Sequence, residues 1–124
     1  MEKISTNTAP AAIGPYTQAI KSGGFLFTSG QIPINPASGN IEADEIKGQA
    51  EQAIKNLGEV LKAAGLGFED VVKTVCFLDD MDDFAAFNEV YAKYFTSCPA
   101  RSCVAVKTLP KGALCEIELI AKDK

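Results

Sequence analysis

Three residue types with chemical capacity cluster near the C-terminal end: Arg101, Cys103 two residues on, and Glu116 thirteen beyond that. A guanidinium can grip a carboxylate through two parallel bonds, and hydrogen bonds to charged groups contribute about 1.5–3 kcal/mol. A partly shielded carboxylate such as Glu116 can orient a water or act as general base. Cys103 is a weaker nucleophile, since without a histidine partner it stays mostly a thiol unless Arg101 lowers its pKa. Upstream, Tyr16 offers a phenol beside the flexible Gly14-Pro15 pair, where it could close over a ligand. Ser29-Gly30 ends a strand-like run, and a glycine there lets backbone approach a ligand closely. These residues suit a small site for an acidic molecule. Each also has a plainer reading. Arg101 could be a rim arginine paired with one of sixteen acidic residues, Glu116 a solvent-facing strand glutamate, Tyr16 a core or interface residue, and Ser29-Gly30 a turn.

The absence of histidine narrows the chemistry further. Ser-His-Asp and Cys-His catalysis, the common zinc sites and the usual proton shuttle are all removed. The four cysteines, Cys76, Cys98, Cys103 and Cys115, include no Cys-x-x-Cys pair and are poorly spaced for zinc, so they read as reduced thiols. A net charge of −4 argues against a phosphate-binding face for nucleic acid. No window approaches the roughly 20 apolar residues of a membrane span, and the first residues lack a signal peptide's apolar core. The expectation is one cytoplasmic domain over residues 1–124, with no membrane or nucleic-acid partner.

The elements that position these residues follow from spacing. Residues 3–6 suit a short edge strand, residues 7–15 a loop, and residues 16–21 and 25–29 two strands joined through Gly23-Gly24, both free to take positive φ. The prolines at 33 and 36 keep the next segment extended, with a turn at residues 38–40. From residue 45 to 64 the positions of Ile46, Ala50, Ala53, Ile54, Leu57, Val60, Leu61 and Ala64 follow helical spacing, with Asp44 to cap the start and Gly65 to close the end. Residues 71–78 form an apolar interior strand. The acidic run at 79–83 lacks the glycine and distal glutamate of a calcium loop and reads as a turn into a second helix over 82–95. That helix puts Phe84, Phe87, Asn88, Tyr91 and Tyr94 on one stripe, mostly core. Two closing strands follow Pro99. Arg101 and Cys103 share a face of the first, Glu116 and Glu118 a face of the second. A tight hairpin would make those faces coincide; non-adjacent strands would not. Two one-sided helices cover only one face of a sheet, which predicts a homo-oligomer that packs the bare faces together.

Several segments occur together and in order: Ile13-Gly14-Pro15-Tyr16-Thr17-Gln18-Ala19, Phe27-Thr28-Ser29-Gly30-Gln31, Asn56-Leu57, Phe87-Asn88-Glu89-Val90-Tyr91, Pro99-Ala100-Arg101-Ser102-Cys103-Val104, and Leu109-Pro110-Lys111-Gly112-Ala113-Leu114-Cys115-Glu116-Ile117-Glu118. With these the chain resembles, over essentially its whole length, the RidA (YjgF) family of reactive-intermediate deaminases. The resemblance implies an α+β, chorismate-mutase-like fold: a mixed β-sheet with two helices on one face, assembled as a homotrimer with ligand clefts between subunits. It implies hydrolysis of 2-imino acids such as 2-iminopropanoate and 2-iminobutanoate to 2-oxo acids and ammonia. Those substrates arise from pyridoxal-phosphate dehydratases, and the reaction needs no metal or organic cofactor. Carried over by residue, Arg101 binds the substrate carboxylate and Glu116 positions or activates water. Cys103 lines the pocket through side chain or main chain, and Tyr16, Ser29, Gly30 and Phe87 shape its walls. The alternatives are a non-catalytic small-acid-binding regulator of the same fold and, against the charge balance, an RNA-binding or RNA-cleaving protein.

Overall fold

The computed structural model describes all 124 residues. In chain order the elements are β1 (Glu2–Ile4), β2 (Ala19–Ser22), β3 (Phe25–Thr28), β4 (Ile34–Asn35), β5 (Asn40–Ile41), α1 (Ile46–Ala63), β6 (Val71–Leu78), α2 (Phe84–Tyr94), β7 (Ala100–Ala105) and β8 (Cys115–Lys122). Six strands form one sheet in the order β1-β2-β3-β8-β6-β7, and β4 and β5 make a separate small hairpin. Every pairing in the large sheet is antiparallel except β6 with β7. The fold is therefore α+β with a mixed sheet.

Local chemistry explains most boundaries. Gly23 and Gly24 sit at φ 62° and 84°, as the β2–β3 turn requires. α1 buries Ala50, Ala53, Ile54, Leu57, Val60 and Leu61. Its cap is Glu45 rather than Asp44: the chain is still extended at Glu45, whose carboxylate accepts from the N–H groups of Lys47 (3.1 Å) and Gly48 (2.5 Å). Gly65, at φ 77°, closes the helix, and Leu66 N–H reaches the Leu61 carbonyl at 2.9 Å, the six-to-one bond of a Schellman ending. Asp80 accepts from the Asp82 N–H at 2.8 Å and Met81–Asp83 make a 3₁₀ turn, so α2 proper begins two residues later than spacing predicts. Only the second half of the expected strand at 16–21 pairs with β3; the turn at Gly14-Pro15, with Tyr16 N–H on the Gly14 carbonyl, keeps Tyr16 and Thr17 out of the ladder. β1 likewise spans Glu2–Ile4 instead of 3–6.

Both helices pack on one face of the sheet. Leu26, Ile54, Leu57, Leu61, Cys76, Leu78, Phe87 and Ile117 are completely buried between the layers. The other face is open and partly apolar: Phe27 and Val104 are 44% and 47% exposed, and Val75, Phe77 and Ile120 lie beside them half-buried. The closing strands are not neighbours. β7 returns through α2 to lie parallel to β6 at the sheet edge, and β6 separates it from β8. A strand that re-enters in parallel needs such a crossover, so residues 106–114 must bridge across β6 and no tight hairpin forms.

Candidate active site

The register assigns each functional side chain to a face. Arg101 is the partner of Thr74 and Cys103 of Cys76, and both Thr74 and Cys76 point into the helix layer. Glu116 and Glu118 are the partners of Phe77 and Val75 and point to the open face. Arg101 and Glu116 of one chain therefore lie on opposite sides of the sheet, in two separate half-sites.

The Glu116 half is built around a missing side chain. After β3 the chain passes Ser29 and Gly30, then rejoins β8 through paired Gln31–Ile117 backbone bonds of 2.8 and 3.1 Å. The Glu116 side chain lies across the bare Cα of Gly30. A Cβ there would sit 2.8 Å from its Cδ and closer still to its Oε2, so a larger residue would push the carboxylate out of this position. Space, not a special φ, fixes this residue. Ser29 donates its hydroxyl to the Thr17 carbonyl at 2.5 Å and so holds the Tyr16-Thr17 segment beside the end of β3. Tyr16, 48% exposed, is a ridge between two grooves. One, about 480 Å³, contains Gly30, Glu116, Ile13, Ile32 and Lys111; the other, about 600 Å³, contains Ser29, Phe27 and Lys3. Burial raises the Glu116 carboxyl pKa, and the neighbouring Glu118 charge raises it further. A carboxyl raised in this way is a stronger proton acceptor than an ordinary glutamate.

Two buried amides hold the groove walls. Gln18 donates to the carbonyls of Thr6 (3.2 Å) and Pro10 (2.8 Å) and accepts from the Thr6 N–H (2.7 Å), fastening the segment that carries Ile13 and Tyr16. Asn56 on α1 donates to the carbonyls of Ile32 (3.1 Å) and Ile34 (2.9 Å), fastening the opposite wall. The sequence signal for both was a polar residue inside an apolar pattern, which spacing alone did not convert into a role.

The Arg101 half is a cation receptacle turned outward. Nη1 donates to Asn88 Oδ1 at 2.7 Å, and the guanidinium carbon lies 4.7 Å from the Tyr91 ring centre and 5.4 Å from that of Phe84. Tyr91 is itself anchored by a 2.7 Å bond between its hydroxyl and Thr74 Oγ1. The four ion pairs of the chain all use lysine, so Arg101 has no carboxylate partner. This rules out the rim ion pair that its sequence position allowed. A cavity of about 500 Å³ beside it is lined by Asn88, Tyr91, Cys98 and Pro99. Burial raises the Cys103 thiol pKa while Arg101 opposes it, a net rise that keeps Cys103 a thiol. Its backbone is better placed than its sulfur. Val106 N–H bonds the Leu78 carbonyl at 2.9 Å, and amides alternate sides along a strand, so Cys103 N–H faces the free sheet edge. Phe87 lies elsewhere. It is fully buried, its ring 6.0 Å from that of Tyr91, and it supports the Arg101 receptacle from within the core instead of walling it. Asn88 and Tyr91, which spacing placed on a core stripe, are the residues that hold Arg101.

The family profile described as Endoribonuclease L-PSP matches residues 6–123. The chain belongs to this L-PSP/RidA family. Relatives include a RutC family protein of Pyrococcus horikoshii, 54% identical over 97% of this chain and 96% of that one. The mouse protein named 2-iminobutanoate/2-iminopropanoate deaminase is 50% identical over 95% of this chain and 88% of its own. The crystal structure of Escherichia coli TdcF with bound serine superposes with a TM-score of 0.95 at 43% identity, covering both chains completely. The α+β architecture is thus that of the L-PSP/RidA structures. No helix is long and apolar enough to cross a membrane.

Proposed function

We propose that this protein hydrolyses small 2-imino acids to 2-oxo acids and ammonia, in clefts that pair the Arg101 half-site of one subunit with the Glu116 half-site of the next in a homotrimer. The observation that carries the reading is Arg101: a guanidinium stacked on Tyr91, aimed by Asn88, and left without an acid of its own. Beside it, the free Cys103 N–H supplies a further donor for a carboxylate. The open apolar face, with Phe27 and Val104 exposed, supports assembly, and assembly is the way for two half-sites on opposite faces to meet.

The chemistry needs little. The substrate carboxylate docks on Arg101 and its iminium carbon faces a water held by Glu116. Glu116 takes a proton as the water oxygen bonds to carbon and returns it to nitrogen; it then takes the hydroxyl proton as the carbonyl forms, the carbon–nitrogen bond breaks and ammonia leaves, and that proton goes to ammonia as ammonium. An iminium carbon is already electrophilic, so orientation supplies most of the acceleration, each 1.36 kcal/mol off the barrier being worth tenfold. Such imines are released in the cytoplasm by pyridoxal-phosphate dehydratases acting on serine or threonine, which makes those enzymes functional neighbours. No metal or cofactor enters the scheme.

The test is to generate 2-aminoacrylate with a dehydratase and follow 2-oxo acid release in competition with semicarbazide. The protein should accelerate release; an unchanged rate sinks the reading. The ribonuclease name attached to the family finds little support in a chain of net charge −4 without histidine.

A further inference from the structure

The groove beside Glu116, about 480 Å³ on the single subunit, runs on past Glu116 to Ile34 and Lys111. Beyond Gly30 and Glu116 its lining is chiefly apolar, including Ile13, Ile32 and Ile34. Glu116 is its one acid and Lys111 its one base. Lys111 is not part of any ion pair. It is also held in an unusual backbone state, φ 57° and ψ 24°, followed by Gly112 at φ 67°. A lysine resists the left-handed region that glycine accepts freely, so a bare turn would be easier to build with glycine at this position. The turn Pro110–Gly112 thus puts Lys111, a lysine in no ion pair, in the lining of the groove that also holds Glu116.

We infer that Lys111 forms a second anion subsite, and that the substrates include 2-imino acids with a distal carboxylate on the side chain, four- and five-carbon imino dicarboxylates. This rests on the deaminase reading above. The first carboxylate occupies Arg101, the imine carbon lies over Glu116, and the side chain runs along the isoleucines until its carboxylate meets Lys111. A neutral side chain of similar length gains nothing from Lys111.

The experiment compares imines made in situ by amino-acid oxidases, with catalase present, from glutamate and from leucine, each followed by competition with semicarbazide. Lys111→Asn and Lys111→Gly both tolerate the left-handed conformation and keep the turn. Each should lower kcat/KM for the glutamate-derived imine about five- to tenfold and leave the leucine-derived imine unchanged. Lys111→Glu should lower it further. Lys107→Gln, a nearby exposed lysine outside the groove, should change neither and so exclude general attraction of anions. Equal loss on both imines, or no change in their ratio, overturns the inference. So does a wild-type protein that accepts the leucine-derived imine and not the dicarboxylate. If the wild type accelerates neither, it is the deaminase reading that falls.

Discussion

The two half-sites are made in opposite ways. Around Arg101 the protein adds material: the rings of Tyr91 and Phe84 and an amide from Asn88, all delivered by α2 onto the covered side of the sheet. Around Glu116 it takes material away, leaving a bare Gly30 Cα, an open face and a second carboxylate, Glu118, as neighbour. The first stabilises a charge without pairing it. The second destabilises a charge, raising its pKa through burial and repulsion. A single chain that wanted only stability would have paired the cation with one of the acids. Keeping them on opposite faces of one sheet separates them within one chain, which is what the proposed inter-subunit cleft requires.

The largest effect should come from the cation. Arg101→Ala is expected to lower deaminase activity by about a hundredfold or more, with circular dichroism and assembly unchanged, since charge-assisted bonds of about 1.5–3 kcal/mol are lost together with orientation. Full activity in that variant would remove Arg101 from the site. Glu116→Gln should cost about one to two orders of magnitude as the proton acceptor disappears. Mixing the two dead variants tests the geometry directly. If each cleft joins Arg101 of one subunit to Glu116 of another, three in four randomly assembled trimers are mixed and each has one intact cleft, so refolded mixtures should recover about a quarter of wild-type activity. Clefts formed within one chain would recover none.

Glu116 also carries a pH signature. Its raised pKa means the folded protein holds this proton more tightly than the unfolded chain does. Between the ordinary and the raised value, stability therefore falls as pH rises, and at neutral pH the ionised group is a net cost. Glu116→Gln should melt higher than wild type at pH 7, and the difference should vanish in acid below both values. Activity should run the other way, falling as acid protonates the base. A variant that melts lower at pH 7 would mean the carboxylate is stabilised in the assembled protein, contrary to the repulsive half-site described above.

Much of the frame is legible in the sequence. β6 has the extent its apolar run predicts, α1 differs by one residue at each end, and Gly23-Gly24 makes the turn that two positive φ values require. The site was legible less evenly. Parity along a strand groups Arg101 with Cys103 and Glu116 with Glu118, because side chains alternate, yet it does not say which face is covered. That depends on the crossover through α2, a long-range choice that leaves no mark in residues 100–122. The same applies to Asn88 and Tyr91, whose positions on an apolar stripe resemble ordinary core until Arg101 arrives against them. Phe87, one residue before Asn88, points a helical step away and is core indeed. The sequence suggests that Gly30 lets the backbone approach a ligand closely; in the structure its bare Cα makes room for the Glu116 carboxylate.

Gly30→Ala sharpens the subtractive half. The added Cβ would displace the whole end of Glu116, since Cδ and Cγ would lie at 2.8 and 3.1 Å as well. Activity should fall about tenfold, one 1.36 kcal/mol step in the barrier, while the sheet stays intact.

Tyr91→Phe probes the additive half and should have the smallest effect of all. It keeps the ring over Arg101 and removes only the hydroxyl that bonds Thr74 Oγ1 at 2.7 Å. Thr74 is fully buried, so its own hydroxyl would lose that partner, at a cost of about 1 kcal/mol in denaturant titration. kcat/KM should stay within about twofold, because the cation–π contact that steadies the guanidinium survives. Tyr91→Leu, which removes the ring, should lower activity several-fold more than Tyr91→Phe at comparable stability. If Tyr91→Phe instead matches Arg101→Ala in activity, the phenol itself acts on substrate, and the Arg101 side would no longer be only a place where an anion is held.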